Sequence, residues 1–244
     1  MQKWILNIPV LLVFLFSSLS LAMANGNRTF LQQADSLYRK KKYTEACEIY
    51  FKLYQQGYSS PATLLKMAFV KEGLGQTGQA LFFLSAYYTQ TEDPKAYDKI
   101  HSLAGAGGLK GYELPDFDRI TIWLGNRVLI LSLVLASVSL FCLALMIYCK
   151  KNGYANGKMA VGFVSLVFIL LLFVSINVIA SPPARAVIVE PTYFMSGPSP
   201  ASNFIERVGE GNQVVLSGEH DVWVGVEWNG KQGYLKKDDL FMYK

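Results

Sequence analysis

Two histidines and three cysteines are the residues of this 244-residue chain best suited to nucleophilic, acid-base or metal chemistry. His101 lies in a stretch of helical spacing and His220 in a turn between apolar runs; neither has a Cys or Ser nucleophile motif nearby. No His, Cys and Asp spacing suits a metal. Cys47 stands alone, while Cys142 and Cys149 lie seven residues apart in one apolar run, so no intramolecular disulfide framework can be drawn. All three read as small buried hydrophobes. The four glycines of Gly105-Ala-Gly-Gly-Leu-Lys-Gly111 would need a preceding strand and a following Lys-Ser/Thr to cradle a phosphate, and they have neither. The sequence therefore predicts a non-enzymatic chain without cofactor or metal, whose chemistry is recognition by surfaces.

Those surfaces must be positioned by two apolar runs, Val128 to Cys149 and Met159 to Ala180, each of 22 residues without a charge. At 1.5 Å per residue each covers roughly 33 Å of helix, enough to cross a hydrocarbon core of about 30 Å. Neither carries the polar stripe of a soluble core helix, so 128–149 and 159–180 are expected to be membrane spans. Lys150, Lys151 and Lys158 sit in the connection 150–158 without an acidic residue, which assigns that loop to the cytoplasm. At the N-terminus, Lys3, the apolar run from Val10 to Leu21 and Ala22-Met23-Ala24 have the order of a secretory signal peptide over 1–24, with an uncleaved anchor as the alternative. Both flanking segments would then lie on the outer, periplasmic side of a bacterial inner membrane.

Charge excludes one class of partner. The net charge is +5, but residues 25 to 115 hold 11 basic and 8 acidic side chains and residues 181 to 244 hold 6 and 8. Neither segment is basic enough for nucleic acid.

Residues 25–104 align with themselves at a shift of 34: Ala34 on Ala68, Ala46 on Ala80, Tyr54 on Tyr88, and Phe30-Leu31 on Leu64-Leu65. The pattern Ala34...Leu37...Tyr43..Ala46...Tyr50..Leu53 resembles the tetratricopeptide (TPR) motif, in which small residues let two helices approach while aromatics fill the groove between them. Thr77 and Lys71 depart from it, standing where Tyr43 and Leu37 stand in the first copy. Two repeats are visible where about three are normally needed. A helix from Pro94 to Ala104, capped by Asp93, can supply the missing cover, or a partner or second copy must. The resemblance implies a ligand groove at Asp35, Tyr38, Arg39, Phe69 and Glu72, residues that otherwise read as solvated helix surface. The run Arg39-Lys40-Lys41-Lys42 reads as a solvated helix end. The segment 105–127 is expected to be a flexible glycine linker followed by a short interfacial helix bearing Phe117, Ile120, Trp123 and Leu124.

From Ala184 the texture changes to β-branched and aromatic runs separated by turn residues. Strands are expected at Ala186 to Glu190, Phe204 to Val208, Gln213 to Ser217, Val222 to Trp228 and Lys231 to Leu235, with Asn229-Gly230 as a two-residue hairpin turn. Ser196-Gly197-Pro198, Glu210-Gly211, Trp223...Val226 and Gly233-Tyr234-Leu235 occur in an order that resembles bacterial SH3-type domains, so 184–244 is expected to be a small closed all-β barrel. Its candidate ligand residues are Tyr193, Trp223, Trp228 and Tyr234, each of which could instead fill the core.

Signal peptide, external TPR hairpins, two transmembrane helices and an SH3-like domain together resemble the TPR protein of the Bat (aerotolerance) group of bacterial envelope proteins. Phe194-Met195-Ser196-Gly197-Pro198-Ser199 and Val222-Trp223-Val224-Gly225-Val226-Glu227-Trp228 carry that resemblance in the C-terminal segment. It implies a membrane-anchored adaptor with envelope partners: membrane proteins with von Willebrand factor A domains and, indirectly, a MoxR-type AAA+ ATPase. Membrane lipid and a second copy are further expected partners. The alternative is a wall-binding protein whose barrel grips peptidoglycan. A sensor signalling inward has only nine cytoplasmic residues with which to transmit.

Overall fold

A computed structural model describes residues 28–151, 156–179 and 183–243; the expected signal peptide and the centre of the lysine-bearing connection lie outside the described residues. The chain divides into two compact units, Met1–Tyr87 and Tyr88–Lys244.

The first unit holds α1 (28–39), α2 (Tyr43–Gln55), α3 (Pro61–Gly73) and most of α4 (Thr77–Thr91). The 34-residue shift carries the start of α2 onto the start of α4. Ala34, Ala46, Ala68 and Ala80, the four small positions of the repeat, are all buried, so helix backbones meet there with no side chain to hold them apart. Leu64, Met67, Leu81, Phe82 and Phe83 complete the interior. Helix starts and stops are written locally. Ser60 caps α3 by accepting from Thr63 N while Thr63 Oγ1 accepts from Ser60 N, with Pro61 in the first turn. Gly57 ends α2 at φ +83°, where Tyr58 N reaches back to Leu53 O.

In the second unit α5 (Pro94–Ala106) begins at Asp93, whose carboxylate accepts from Lys95 N. Then α6 (Asp116–Lys151) runs for 36 residues without a break, about 54 Å of helix. The expected separate interfacial helix is instead the first turns of α6, because no proline interrupts 116–127 and its one glycine, Gly125, costs only about 1 kcal/mol. Those turns are held by polar contacts: Arg119 donates to Tyr97 Oη at 2.8 Å, Arg127 pairs with Glu92 at 2.6 Å, and Asn126 donates to Thr89 O at 2.9 Å.

Helices α6 and α7 (Asn156–Ile179) are each long and apolar enough to cross a membrane, and their most apolar stretches contain no buried residue. They pack as an antiparallel hairpin. Among the half-buried positions, Val128, Ser132, Leu135, Ser139, Cys142 and Met146 of α6, and Gly162, Leu166, Ile169, Phe173 and Ile176 of α7, recur in steps of four and three, with Leu131 and Ser165 beside them, the spacing of a left-handed helix pair. At one end Asn177 Nδ2 donates to Ser132 Oγ at 3.1 Å. At the other Gly162 admits Met146, whose Cγ lies 2.8 Å from where a Cβ would stand.

The remaining chain forms one antiparallel sheet: β1 (Arg185–Ile188), β2 (Thr192–Met195), β3 (Phe204–Val208), β4 (Gln213–His220), β5 (Trp223–Trp228), β6 (Lys231–Lys236) and β7 (Leu240–Tyr243), ordered β3-β2-β6-β5-β4-β1-β7. Seven strands replace the expected five: β2 and β7, four residues each, are too short to show an alternation. The ladder stays open between its edges β3 and β7, where closure was expected. It nevertheless curls, since every strand contributes to one core of Ala186, Ile188, Phe194, Val208, Val214, Val224, Val226, Trp228, Leu235 and Leu240. The Asn229-Gly230 turn is present with φ of +50° and +73°, the left-handed pair that a two-residue hairpin requires.

Residues 107–115 are not the expected free linker. Gln213 N donates to Lys110 O at 3.0 Å, Lys110 N donates to Asn212 Oδ1 at 2.9 Å, and the buried Tyr112 hydroxyl donates to Gly211 O at 2.6 Å. Gly111, at φ +92°, lies so close to the sheet that a Cβ would stand 2.0 Å from Gln213 O. Glycine at 111 thus serves close approach rather than flexibility. Arg185, the first residue of β1, completes this clasp. Its guanidinium pairs with Asp118 in the first turn of α6 and donates to Gln213 Oε1 at 3.0 Å. Gln213 Nε2 passes the network on to Tyr243 Oη at 2.5 Å.

Candidate functional site

A groove of about 490 Å³ opens on the β2, β3 and β5 side of the sheet. Its exposed wall is made by Tyr193 of β2 and Phe204 of β3, 60% and 57% exposed, with ring centroids 5.8 Å apart in an edge-on arrangement. An irregular register between Phe194 and Met195 breaks the alternation of β2. Phe194 and Met195 are consequently both buried, and Tyr193 is left outward. Trp223 is buried beneath the groove, Pro191 and Pro200 line it, and Lys236 and Asp239 bring one charge of each sign. Thr192 Oγ1 donates to Asp239 at 2.5 Å and fixes that carboxylate.

Of the four aromatics proposed from sequence, Tyr193 and Trp223 line this groove. Trp228 is buried in the core of the sheet, and half-buried Tyr234 packs its ring 5.6 Å from His220. Phe204 and the two prolines were not singled out from sequence. The available signal was Phe204 opening a strand after a Pro- and Ser-rich loop.

On the helical unit, Asp35, Tyr38 and Phe69 come together with three residues that sequence reasoning did not select, Tyr43, Tyr50 and Lys66. Lys66 Nζ lies 2.6 Å from Asp35 Oδ1, and the Tyr50 hydroxyl donates to the same oxygen at 2.5 Å. Lys66 also stands 5.4 Å from the centroids of both the Tyr38 and Tyr50 rings, within cation-π range. Tyr38, Tyr43 and Phe69 follow as an edge-on series with centroids 5.0 and 6.2 Å apart, ending at Phe69, which is 59% exposed.

Burial alone would raise the Asp35 pKa. The hydrogen bonds from Lys66 and Tyr50 and the Lys66 charge outweigh it and hold the carboxyl below its ordinary 3.8. Burial, then the Asp35 hydrogen bond, pushes the Tyr50 phenol up. Asp35 is thus an ionised tie between three helices, and the open part of this surface is its aromatic end. Arg39 is exposed, close enough for its charge to favour the Asp35 carboxylate, and Glu72 lies half-buried one turn beyond Phe69.

The remaining reactive types stay apart. His101 packs against Tyr97 with the rings tilted by 59° and centroids 4.3 Å apart, and His220 lies at the end of β4. Cys47 is buried, which pushes its thiol up and keeps it protonated. Among the described residues no group of three or more His, Cys, Asp or Glu could hold a metal ion. What both surfaces offer is exposed aromatic area with few, fixed polar groups, which suits extended polypeptide. No protein-family model matches the chain, and no curated protein matches it.

Proposed function

We propose that the chain is a non-enzymatic, membrane-anchored adaptor with two polypeptide-binding surfaces on the periplasmic side of a bacterial inner membrane. The helical unit is read as TPR hairpins, supported by the 34-residue register of α2 and α4 and by the four buried alanines. The sheet is read as SH3-like, supported by its curled antiparallel order and the position of its groove. The resemblance to the Bat aerotolerance group supplies the partners: von Willebrand factor A-domain membrane proteins and, through them, a MoxR-type AAA+ ATPase, in an envelope complex for oxidative stress tolerance.

The observation that carries this reading is the Tyr193, Phe204 and Trp223 groove. An exposed aromatic pair over a buried tryptophan, edged by prolines, offers flat apolar area at low entropic cost. Fixing both surfaces to one bilayer raises the effective concentration of the second contact, so modest individual affinities suffice.

Affinity capture from mildly solubilised membranes tests it. The wild-type chain should recover envelope proteins that Tyr193→Ala/Phe204→Ala loses, and recovery of the same set by both would overturn the reading. Reporter fusions after Gly108 and at Lys244 should both behave as exported. The second reading, peptidoglycan binding by the same groove, is favoured by its openness to an extended strand. It predicts that the full chain in detergent pellets with purified sacculi, whereas the adaptor reading predicts that it stays in solution.

A further inference from the structure

The clasp joins parts of the chain 67 to 102 residues apart, through two contacts that meet at Gln213. One is backbone pairing of Lys110 with Gln213 under a buried Tyr112. The other is the pair of Arg185 and Asp118, whose side chains are only 7% and 14% exposed. Because Asp118 is in the first turn of α6 and Arg185 opens β1, the contact ties the first membrane-candidate helix to the sheet that follows the second.

We propose that this clasp makes α6, α7 and the sheet one rigid body, a head fixed on a helical stalk, so that the Tyr193, Phe204 and Trp223 groove is presented at a set height and orientation. Clasp and groove share no residue. The first draws on β1, β4 and β7, the second on β2, β3, β5 and β6, so a ligand can fill the groove with the clasp intact. Asp118 precedes Val128, the first residue of the apolar run, by ten residues, or about 15 Å of helix. An interfacial layer is only about 5 to 8 Å deep on each side of the hydrocarbon. The clasp thus stands outside the hydrocarbon, on the outer side of the bilayer. The height rests on the membrane reading above; the rigidity does not.

Distance measurement between spin labels at Ile120→Cys on α6 and Glu227→Cys on β5 tests the rigidity. It uses the full chain in detergent, with the native cysteines replaced by alanine. One narrow distance distribution is expected. Gly111→Val should broaden it several-fold, because the side chain would meet the Gln213 carbonyl, while tryptophan emission reports a sheet still folded. If that emission is lost, Asp118→Asn with Arg185→Gln, which removes the pair and strands no charge, takes the place of Gly111→Val under the same two readings. A broad distribution in the unaltered clasp, or a narrow one in the variant with a folded sheet, overturns the proposal. Neither outcome depends on whether a bilayer is crossed, so a failure of topology would be seen separately in the reporter fusions.

Discussion

Asp35 and Asp118 each meet a cation carried by another element, yet they sit in opposite regimes. The Asp35 and Lys66 side chains are 36% and 30% exposed, and their pair is one strand of a network that also includes the Tyr50 hydroxyl and two aromatic faces. Asp118 and Arg185 are nearly out of water, with Gln213 and Tyr243 continuing the network. The same two charge types therefore do different things. At the surface they orient a shelf and respond to salt and acid. In the clasp they cannot be separated cheaply, because either partner left alone is a buried uncompensated charge.

That contrast can be broken by mutation, the clasp first. Arg185→Met strands Asp118 and should destabilise the sheet by about 3 to 5 kcal/mol, read as a lowered urea midpoint of tryptophan fluorescence, with little dependence on salt. Tyr112→Phe, which leaves the Gly211 carbonyl without its donor, should cost about 1 to 3 kcal/mol in the same assay. Lys66→Met should cost the helical unit about 1 kcal/mol or less, shrinking further in high salt because the pair is part-exposed.

The sign of the acid response sharpens the point. A carboxyl held below 3.8 contributes stability that is complete above that value and is lost as pH falls through the folded pKa. Lys66→Met should therefore flatten the acid limb of the helical unit's unfolding profile, measured by far-ultraviolet dichroism. Smallest of all, Tyr193→Ala should change stability by less than about 0.5 kcal/mol, since the ring is exposed, while removing partners in the capture assay.

The features legible in the sequence were those encoded by neighbours or by a repeated pattern. Asn229-Gly230 and Asp93-Pro94 each state their structure in two residues, while the two charge-free runs and the recurrence of alanine at a shift of 34 show as patterns along the chain. What stayed illegible was non-local. Lys110, Gly111 and Tyr112 look like the tail of a glycine linker until Gln213, about a hundred residues later, supplies the donor that orders them. The one local hint was a bulky Tyr112 directly after Gly111, with a charged Arg185 opening an apolar strand.

The candidate sites follow the same rule. Tyr193 and Phe69 were named from positions that the SH3-type and TPR resemblances imply, and both are exposed. Lys66 was missed because its role depends on meeting Asp35, 31 residues away. Trp228 shares the core face of β5 with Val224 and Val226, and Tyr234 is out of register with the core residue Leu235; dividing them required knowing which face of each strand is inside.

The seam between α6 and α7 places a limit on how this chain can change over evolutionary time. Losing one residue from the middle of either helix would turn everything beyond it by about 100°, swinging the Asn177 amide away from the Ser132 hydroxyl and into apolar surroundings. Length variants that survive should therefore come in sevens, or be confined to the stretches outside the hairpin.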